Sequence, residues 1–321
     1  MSSALLVNLR SASNNPNRRV DLEPRCHHKA IGRRNRYVFL VHGFAVSEAG
    51  ARHAYWEYAR ALGGLDYDAD FHWTTLKPIG VTWPGDTPSS LPMGNQANYA
   101  FRVRDGIESG RVFGGYLATL RAQHDVWQPE IVLIGHSLGC RLILEALETF
   151  ADRNGDLTKV RVCLMAAATP EGLVAGPVDP EETKLERAFA GVRFSYVAYS
   201  LNDLVLQTAF EPGQFWARNL IKDASKRDIR APGKRTRAIG RRGLPKVAAG
   251  TRIQRRIGHG EYWKDSVVAK SFAKCVLNPK YATELQCKSH PEDRSILARM
   301  IPDRFIESYL GRNRLWSRGF H

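Results

Sequence analysis

Apolar residues along this chain gather into short, nearly unbroken runs. Tyr37 to Val41 (YVFLV), Ile131 to Ile134, Val160 to Ala168 and Val192 to Tyr199 are rich in branched and aromatic residues, which is the pattern of strands covered on both faces. Ile79 to Trp83 reads as a further short strand, stopped by Pro84-Gly85. Between the runs the period lengthens to that of a helix. Ser47 can cap a helix in which Ala51, Ala54, Tyr55, Tyr58 and Leu62 share one face and which Gly63-Gly64 ends. Gly94 to Trp127 is mostly helical in pattern, but its breaks around Gly110 and Gly114-Gly115 predict two helices or a helix with a lid-like insertion. Leu138, Leu142, Ile143, Ala146, Leu147 and Phe150 form an amphipathic stripe, and a charged helical segment covers Glu181 to Phe189. The pattern weakens after Phe210, then returns as helix over Trp263 to Val276 and Glu292 to Leu310.

Strand, helix, strand, helix at this spacing predicts an α/β fold with a mostly parallel central sheet and helices on both faces, since each parallel crossover consumes a dozen or so residues. No internal repeat interrupts the alternation. With 43% hydrophobic residues in 321, the chain can bury a large core, and disorder is excluded as the state of the whole.

Charge divides the chain into parts. The formal net charge is +15, from 47 Lys and Arg against 32 Asp and Glu. Met1 to Arg36 carries +6 and Lys222 to Arg256 carries +11, leaving the remainder at −2. Residues 1–36 therefore read as a basic N-terminal extension. Residues 37–321 read as a single domain with a basic insertion at about 222–256 and a C-terminal helical segment at about 277–321. The run Ala4-Leu5-Leu6-Val7 is too short for the core of a signal peptide, and no stretch approaches the roughly 18 apolar residues of a membrane span. Arg18-Arg19 and Arg33-Arg34 lack the apolar segment of a twin-arginine signal, so a soluble cytoplasmic location is expected, with export that reads no N-terminal signal left open. Five scattered cysteines (Cys26, Cys140, Cys163, Cys275, Cys287) form no disulfide framework. Cys26-His27-His28 has no second Cys/His pair at zinc spacing, and no metal site is expected.

The most informative stretch is Ile131 to Leu142, IVLIGHSLGCRL. It sets Gly135-His136-Ser137-Leu138-Gly139, a G-x-S-x-G, between a buried strand and an amphipathic helix. The chain must turn sharply there, and small flanking residues leave room for the strained serine. The hydroxyl then stands at the carboxyl end of the sheet, with the following N–H groups at a helix N-terminus where an oxyanion would be stabilised. In element order, spacing and motifs, residues from about Arg36 to Val276 resemble the α/β-hydrolase superfamily. Val41-His42-Gly43-Phe44 is similar to that family's HG loop after its third strand, which implies oxyanion-hole N–H groups on Phe44 and on Leu138. Val81-Thr82-Trp83-Pro84-Gly85 is similar to a poorly characterised bacterial branch.

A serine hydroxyl needs a histidine base, itself oriented by a carboxylate, and the family's chain order is serine, acid, histidine. Asp203, just beyond the second strand after the elbow in a turn where Asn202 can fix the backbone, is favoured as the acid over Asp179 and Glu171. His259, flanked by Gly258 and Gly260, is favoured as the base over His290 and His321. His42 and His136 are near the serine by motif but in the wrong chain order. They are expected to contact substrate in the pocket or to hydrogen-bond locally.

These assignments predict a serine esterase or lipase that works through an acyl-enzyme on Ser137 and needs no metal or cofactor. The alternative is a hydrolase-like fold serving as a polyanion-binding or scaffolding module with little catalysis. The expected substrate is a small-molecule or lipid ester. The 222–256 segment is a candidate dock for an anionic membrane surface. Nucleic acid is disfavoured, since aromatic interleaving and nucleic-acid motifs are lacking. Oligomeric state, acyl chain length and the choice of water or alcohol as acceptor are not encoded legibly. The loops Pro84 to Gly94 and Phe210 to Trp216, with Phe210, Phe215 and Trp216 as lining or core residues, would shape the pocket.

Overall fold

Strands too apolar to face water on either side must lie in the middle of a sheet, and the apolar runs do so. A computed structural model describes residues 5–10, 20–25, 34–63, 78–86, 95–123, 128–174, 184–210, 212–214, 238–243 and 251–273. Its strands are β1 (Leu6–Arg10), β2 (Val20–Arg25), β3 (Arg36–Val41), β4 (Ile79–Thr82), β5 (Glu130–His136), β6 (Val160–Met165), β7 (Phe194–Ser200) and β8 (Thr251–Arg255). They form one sheet in the order β2-β1-β4-β3-β5-β6-β7-β8. Seven strands run parallel, and β2 alone pairs antiparallel, with β1. Except for their first residues, β3 and β5 are buried throughout.

The main helices are α1 (Glu48–Gly63), α2 (Asn95–Ala122), α3 (Leu138–Asp152), α4 (Lys184–Gly191), α5 (Leu204–Thr208), α6 (Ile239–Arg242) and α7 (Ser266–Phe272). From β3 the chain crosses to β4 in one direction along the sheet, whereas the crossovers after β4, β5, β6 and β7 all move the other way. Right-handed crossovers then set α1 on one face and α2, α3 and α4 on the other. The packing agrees: α2 lies on α3 and α3 on α4, while α1 lies on α7. Phe39 meets Phe113 of α2 edge to face at 5.3 Å, and Tyr58 of α1 meets Trp263 and Phe272 at 5.5 and 6.2 Å. Because connections leave β3 and β5 toward opposite faces, a crevice opens beyond the carboxyl ends of these two neighbours. Such a switch point is where open α/β sheets bind ligands.

The expected α/β class, with a mostly parallel sheet covered on both faces, is the observed one. Several elements differ from their sequence pattern. The glycines of α2 do not break it. A Cβ at Gly110 would stand 2.6 Å from the Leu142 carbonyl, and one at Gly114 would stand 2.4 Å from that of Ala146. The glycines thus let α2 lie directly on the α3 backbone, and this packing outweighs their cost of about 1 kcal/mol each in helix propensity. The stripe on α3 was also too narrow, since α3 is buried almost all round. Even Arg141 and Glu145 are enclosed, paired at 2.6 Å. The first 36 residues contribute β1 and β2 to the sheet, with Val7 and Leu9 fully buried. The basic 222–256 segment supplies α6 and the whole of β8. Among the described residues, no helix is long and apolar enough to cross a membrane. The expected C-terminal helical segment lies outside the described residues, as do Cys26 to His28.

Candidate active site

Ser137 sits between β5 and α3 with φ 54° and ψ −124°, in a region that costs an L-residue about 1–3 kcal/mol. The strain is held by packing and backbone hydrogen bonds. A Cβ at Gly139 would stand 2.3 Å from the His42 carbonyl, and one at Gly43 would stand 2.8 Å from the Ser137 Cβ, so the turn fits closely under the end of β3. The Ser137 N–H donates to the Met165 carbonyl at 2.9 Å, and the Ala168 N–H donates to the Ser137 carbonyl at 3.1 Å.

The structure brings Ser137, His259 and Asp203 together. The Ser137 Oγ lies 2.9 Å from His259 Nε2, and His259 Nδ1 lies 2.8 Å from Asp203 Oδ2. With the Nδ1–H donating to the carboxylate, Nε2 is left as an acceptor for the serine hydroxyl. Asp203 is fully buried. It follows β7 and caps α5, its Oδ1 accepting the Leu206 N–H at 2.9 Å. The second oxygen is thereby turned toward His259. His259 rides on the turn between β8 and α7, and its side chain is 17% exposed. Of the rival acids, Glu171 begins a short 3-10 turn after β6 and Asp179 lies outside the described residues, as do His290 and His321.

His42 and His136 were expected to contact substrate in the pocket or to hydrogen-bond locally; both are buried and hold backbone carbonyls around the site. The His42 ring stacks on Trp83, with centroids 5.5 Å apart. Its Nδ1–H donates to the Gly43 carbonyl at 2.9 Å, and the Trp83 N–H donates to its Nε2 at 3.3 Å. A trans peptide directs its C=O and N–H oppositely, so the ring that grips the Gly43 carbonyl also fixes the direction of the Phe44 N–H. Among the described residues, neither the Phe44 nor the Leu138 N–H enters a turn or loop hydrogen bond. The Phe44 ring meets Tyr99 edge to face at 5.6 Å, and Gln214 donates to the Tyr99 hydroxyl at 3.0 Å, walling this side. Phe210 is core; Phe215 and Trp216 lie outside the described residues.

His136 joins the Ser137 turn to the His259 turn. Its Nε2–H donates to the backbone carbonyl of His259 at 2.7 Å, and its ring lies 5.0 Å from the His259 ring, among Tyr262 and Trp263. Burial lowers the pKa of both His42 and His136 to about 3, with the neighbouring His259 adding to the effect at His136. Each ring is therefore a neutral, fixed donor at ordinary pH. The bond from His136 to the carbonyl of His259 was not foreseen, since a side-chain bond to a distant backbone carbonyl leaves no motif.

A model of the alpha/beta hydrolase family matches residues 38–278. No curated protein matches the sequence. Among solved structures, the chain is similar to carboxyl esterase 2 of the mycorrhizal fungus Tuber melanosporum, with 12% identity over 78% of each chain and a TM-score of 0.35. It is also similar to an esterase of Pyrobaculum calidifontis, with 13% identity over 74% of this chain and 75% of that one, again at a TM-score of 0.35.

Proposed function

We propose, from the premise that this chain belongs to the alpha/beta hydrolase family, that it is a serine hydrolase cleaving a carboxylic ester through an acyl-enzyme on Ser137. The observation that carries the reading is the continuous hydrogen-bonded relay from Ser137 through His259 to buried Asp203. His259 Nε2 takes the hydroxyl proton as Oγ bonds to the ester carbonyl carbon, and the amides of Phe44 and Leu138 hold the resulting oxyanion. Collapse of the adduct breaks the ester C–O bond, and the alcohol leaves with the proton held by His259. Water, deprotonated by the same nitrogen, then releases the acid and frees Ser137. Asp203 keeps the Nδ1 proton in place and stabilises the imidazolium.

The strained φ of Ser137 supports catalysis over the scaffolding alternative, because a binding module has no use for a costly backbone that presents one hydroxyl. The test is labelling by a fluorophosphonate probe together with turnover of a short-chain nitrophenyl ester. Ser137→Ala should abolish labelling and lower turnover by on the order of a thousandfold or more. Wild-type labelling and turnover by the variant would refute the assignment.

A further inference from the structure

Between Leu201 and Phe210 the one charged residue is Asp203, and it is buried. The outward-facing residues of this stretch, Leu201, Leu204, Val205, Thr208 and Ala209, carry no charge. A helix at the surface ordinarily turns its charges outward, and a quarter of this chain is charged, yet α5 shows water an apolar face while Leu206 and Phe210 anchor it inside. Leu201, Leu204 and Val205 are 47%, 60% and 48% exposed. They make up three of the five large apolar side chains exposed among the described residues. The patch starts two residues before Asp203, on the rim of the site.

Cations flank it. The register Ser200↔Arg255 between β7 and β8 sets Leu201 level with exposed Arg256. Helix α6 packs on β7 and α5 and ends in exposed Arg242. Arg255 is held by Asp265 at 2.9 Å. The exposed acid on the base turn, Glu261, accepts the Gly258 N–H. Arg242 and Arg256 both belong to the segment that carries +11.

We propose that Leu201, Leu204 and Val205 dock this chain onto an anionic lipid bilayer, with Arg242 and Arg256 among the headgroups. The Ser137 site then opens at the interface and draws its ester from the membrane. The second half rests on the ester-hydrolase reading; the docking does not. Size and chemistry select the bilayer. Three half-exposed aliphatic side chains present roughly 300 Å², within the range of functional surface patches but far below the roughly 800 Å² per partner of a stable protein interface. Shallow insertion beside cationic side chains needs no more than this. The patch offers no aromatic ring on which a nucleic-acid base could stack.

The experiment uses the full chain and extruded vesicles, of phosphatidylcholine alone or with one third phosphatidylglycerol. Co-sedimentation with the anionic vesicles is expected, weakened at least tenfold with phosphatidylcholine alone or in 0.5 M salt, on the order set by counterion screening. The triple variant L201S/L204S/V205S should lose about tenfold or more in vesicle binding and in cleavage of a vesicle-borne ester, with kcat/KM for a soluble short-chain ester unchanged within about twofold. R242E/R256E should lose binding to the anionic vesicles. Absence of vesicle binding, equal binding to both compositions, or undiminished binding by the triple variant would overturn the proposal. So would a dimer that the triple variant dissociates without any vesicle binding, which would assign the face to a second copy. Turnover of the soluble ester separates the two readings: vesicle binding without it leaves the dock standing and removes the hydrolase, and turnover without vesicle binding does the reverse.

Discussion

Replacing Asp203 by asparagine isolates one proton. In the wild type, Oδ1 accepts the Leu206 N–H and Oδ2 faces His259 Nδ1. An asparagine must keep its carbonyl oxygen on the Leu206 N–H, because an NH2 group there would set donor against donor. The amide NH2 then points at His259 Nδ1 and requires a lone pair on it. The imidazole proton moves to Nε2, where it faces the Ser137 hydroxyl and can no longer accept from it. The same change of tautomer in a serine protease lowers kcat by about 10⁴, equivalent to about 5.4 kcal/mol of barrier, and a loss of this size is expected here. Stability should change little, within about 0.5 kcal/mol, since asparagine caps as well as aspartate. Asp203→Ala should lose the same activity and also the cap, leaving the buried Leu206 N–H unpaired at a cost of about 1–3 kcal/mol. The assay is the rate of fluorophosphonate inactivation with nitrophenyl ester turnover, alongside urea denaturation of both variants. If Asp203→Asn retains more than a tenth of the wild-type rate, Asp203 does not set the His259 tautomer.

Other outcomes follow from the same geometry. His136→Ala leaves the His259 carbonyl without its donor; kcat should fall about 10- to 100-fold with KM little changed, at a stability cost of about 1–3 kcal/mol, and wild-type kcat would show that the base turn holds itself. Folding holds His42 and His136 neutral, with pKa values near 3 against an ordinary 6.5. Between those values the unfolded chain binds the extra protons, so stability falls as pH drops, by about 2 kcal/mol per histidine from pH 7 to pH 5. Urea midpoints across that range would check this, and a flat profile would contradict it. Gly114→Val would force α2 off the Ala146 carbonyl, with an expected loss above about 3 kcal/mol and a drop in Tm; an unchanged Tm would mean the helices can separate freely.

The parts of the fold that the sequence made legible are those where one force acts alone. β3, β5 and β6 declare themselves because burial dictates nearly every residue in them, α1 because its buried residues Ala51, Tyr55, Tyr58 and Leu62 recur at the helical period, and Ser137, Asp203 and His259 were nominated because chain order and turn chemistry constrain them together. β8 was hidden because its residues, Thr251 to Arg255, are those of a sheet edge, and their charges read as part of a basic run. β1 and β2 were hidden in the same way at the other edge. The glycines of α2 looked like breaks because propensity is local, whereas the helix they contact is more than thirty residues away.

The placement of β1 bears on how this protein should be handled. Its register sets Leu6 against Gly80, where a Cβ on the glycine would stand 2.6 Å from the leucine side chain. Arg10 reaches Asp86 at 2.8 Å, next to the Gly85 carbonyl that accepts the Ala45 N–H behind the Phe44 turn. A charge map nominates the first 36 residues for trimming. Removing them would strip the cover from β4 and leave a flat apolar ribbon with a row of unsatisfied amides, the geometry that recruits other chains into sheet-to-sheet aggregates. A shortened chain is therefore expected to precipitate before it shows any defect in chemistry.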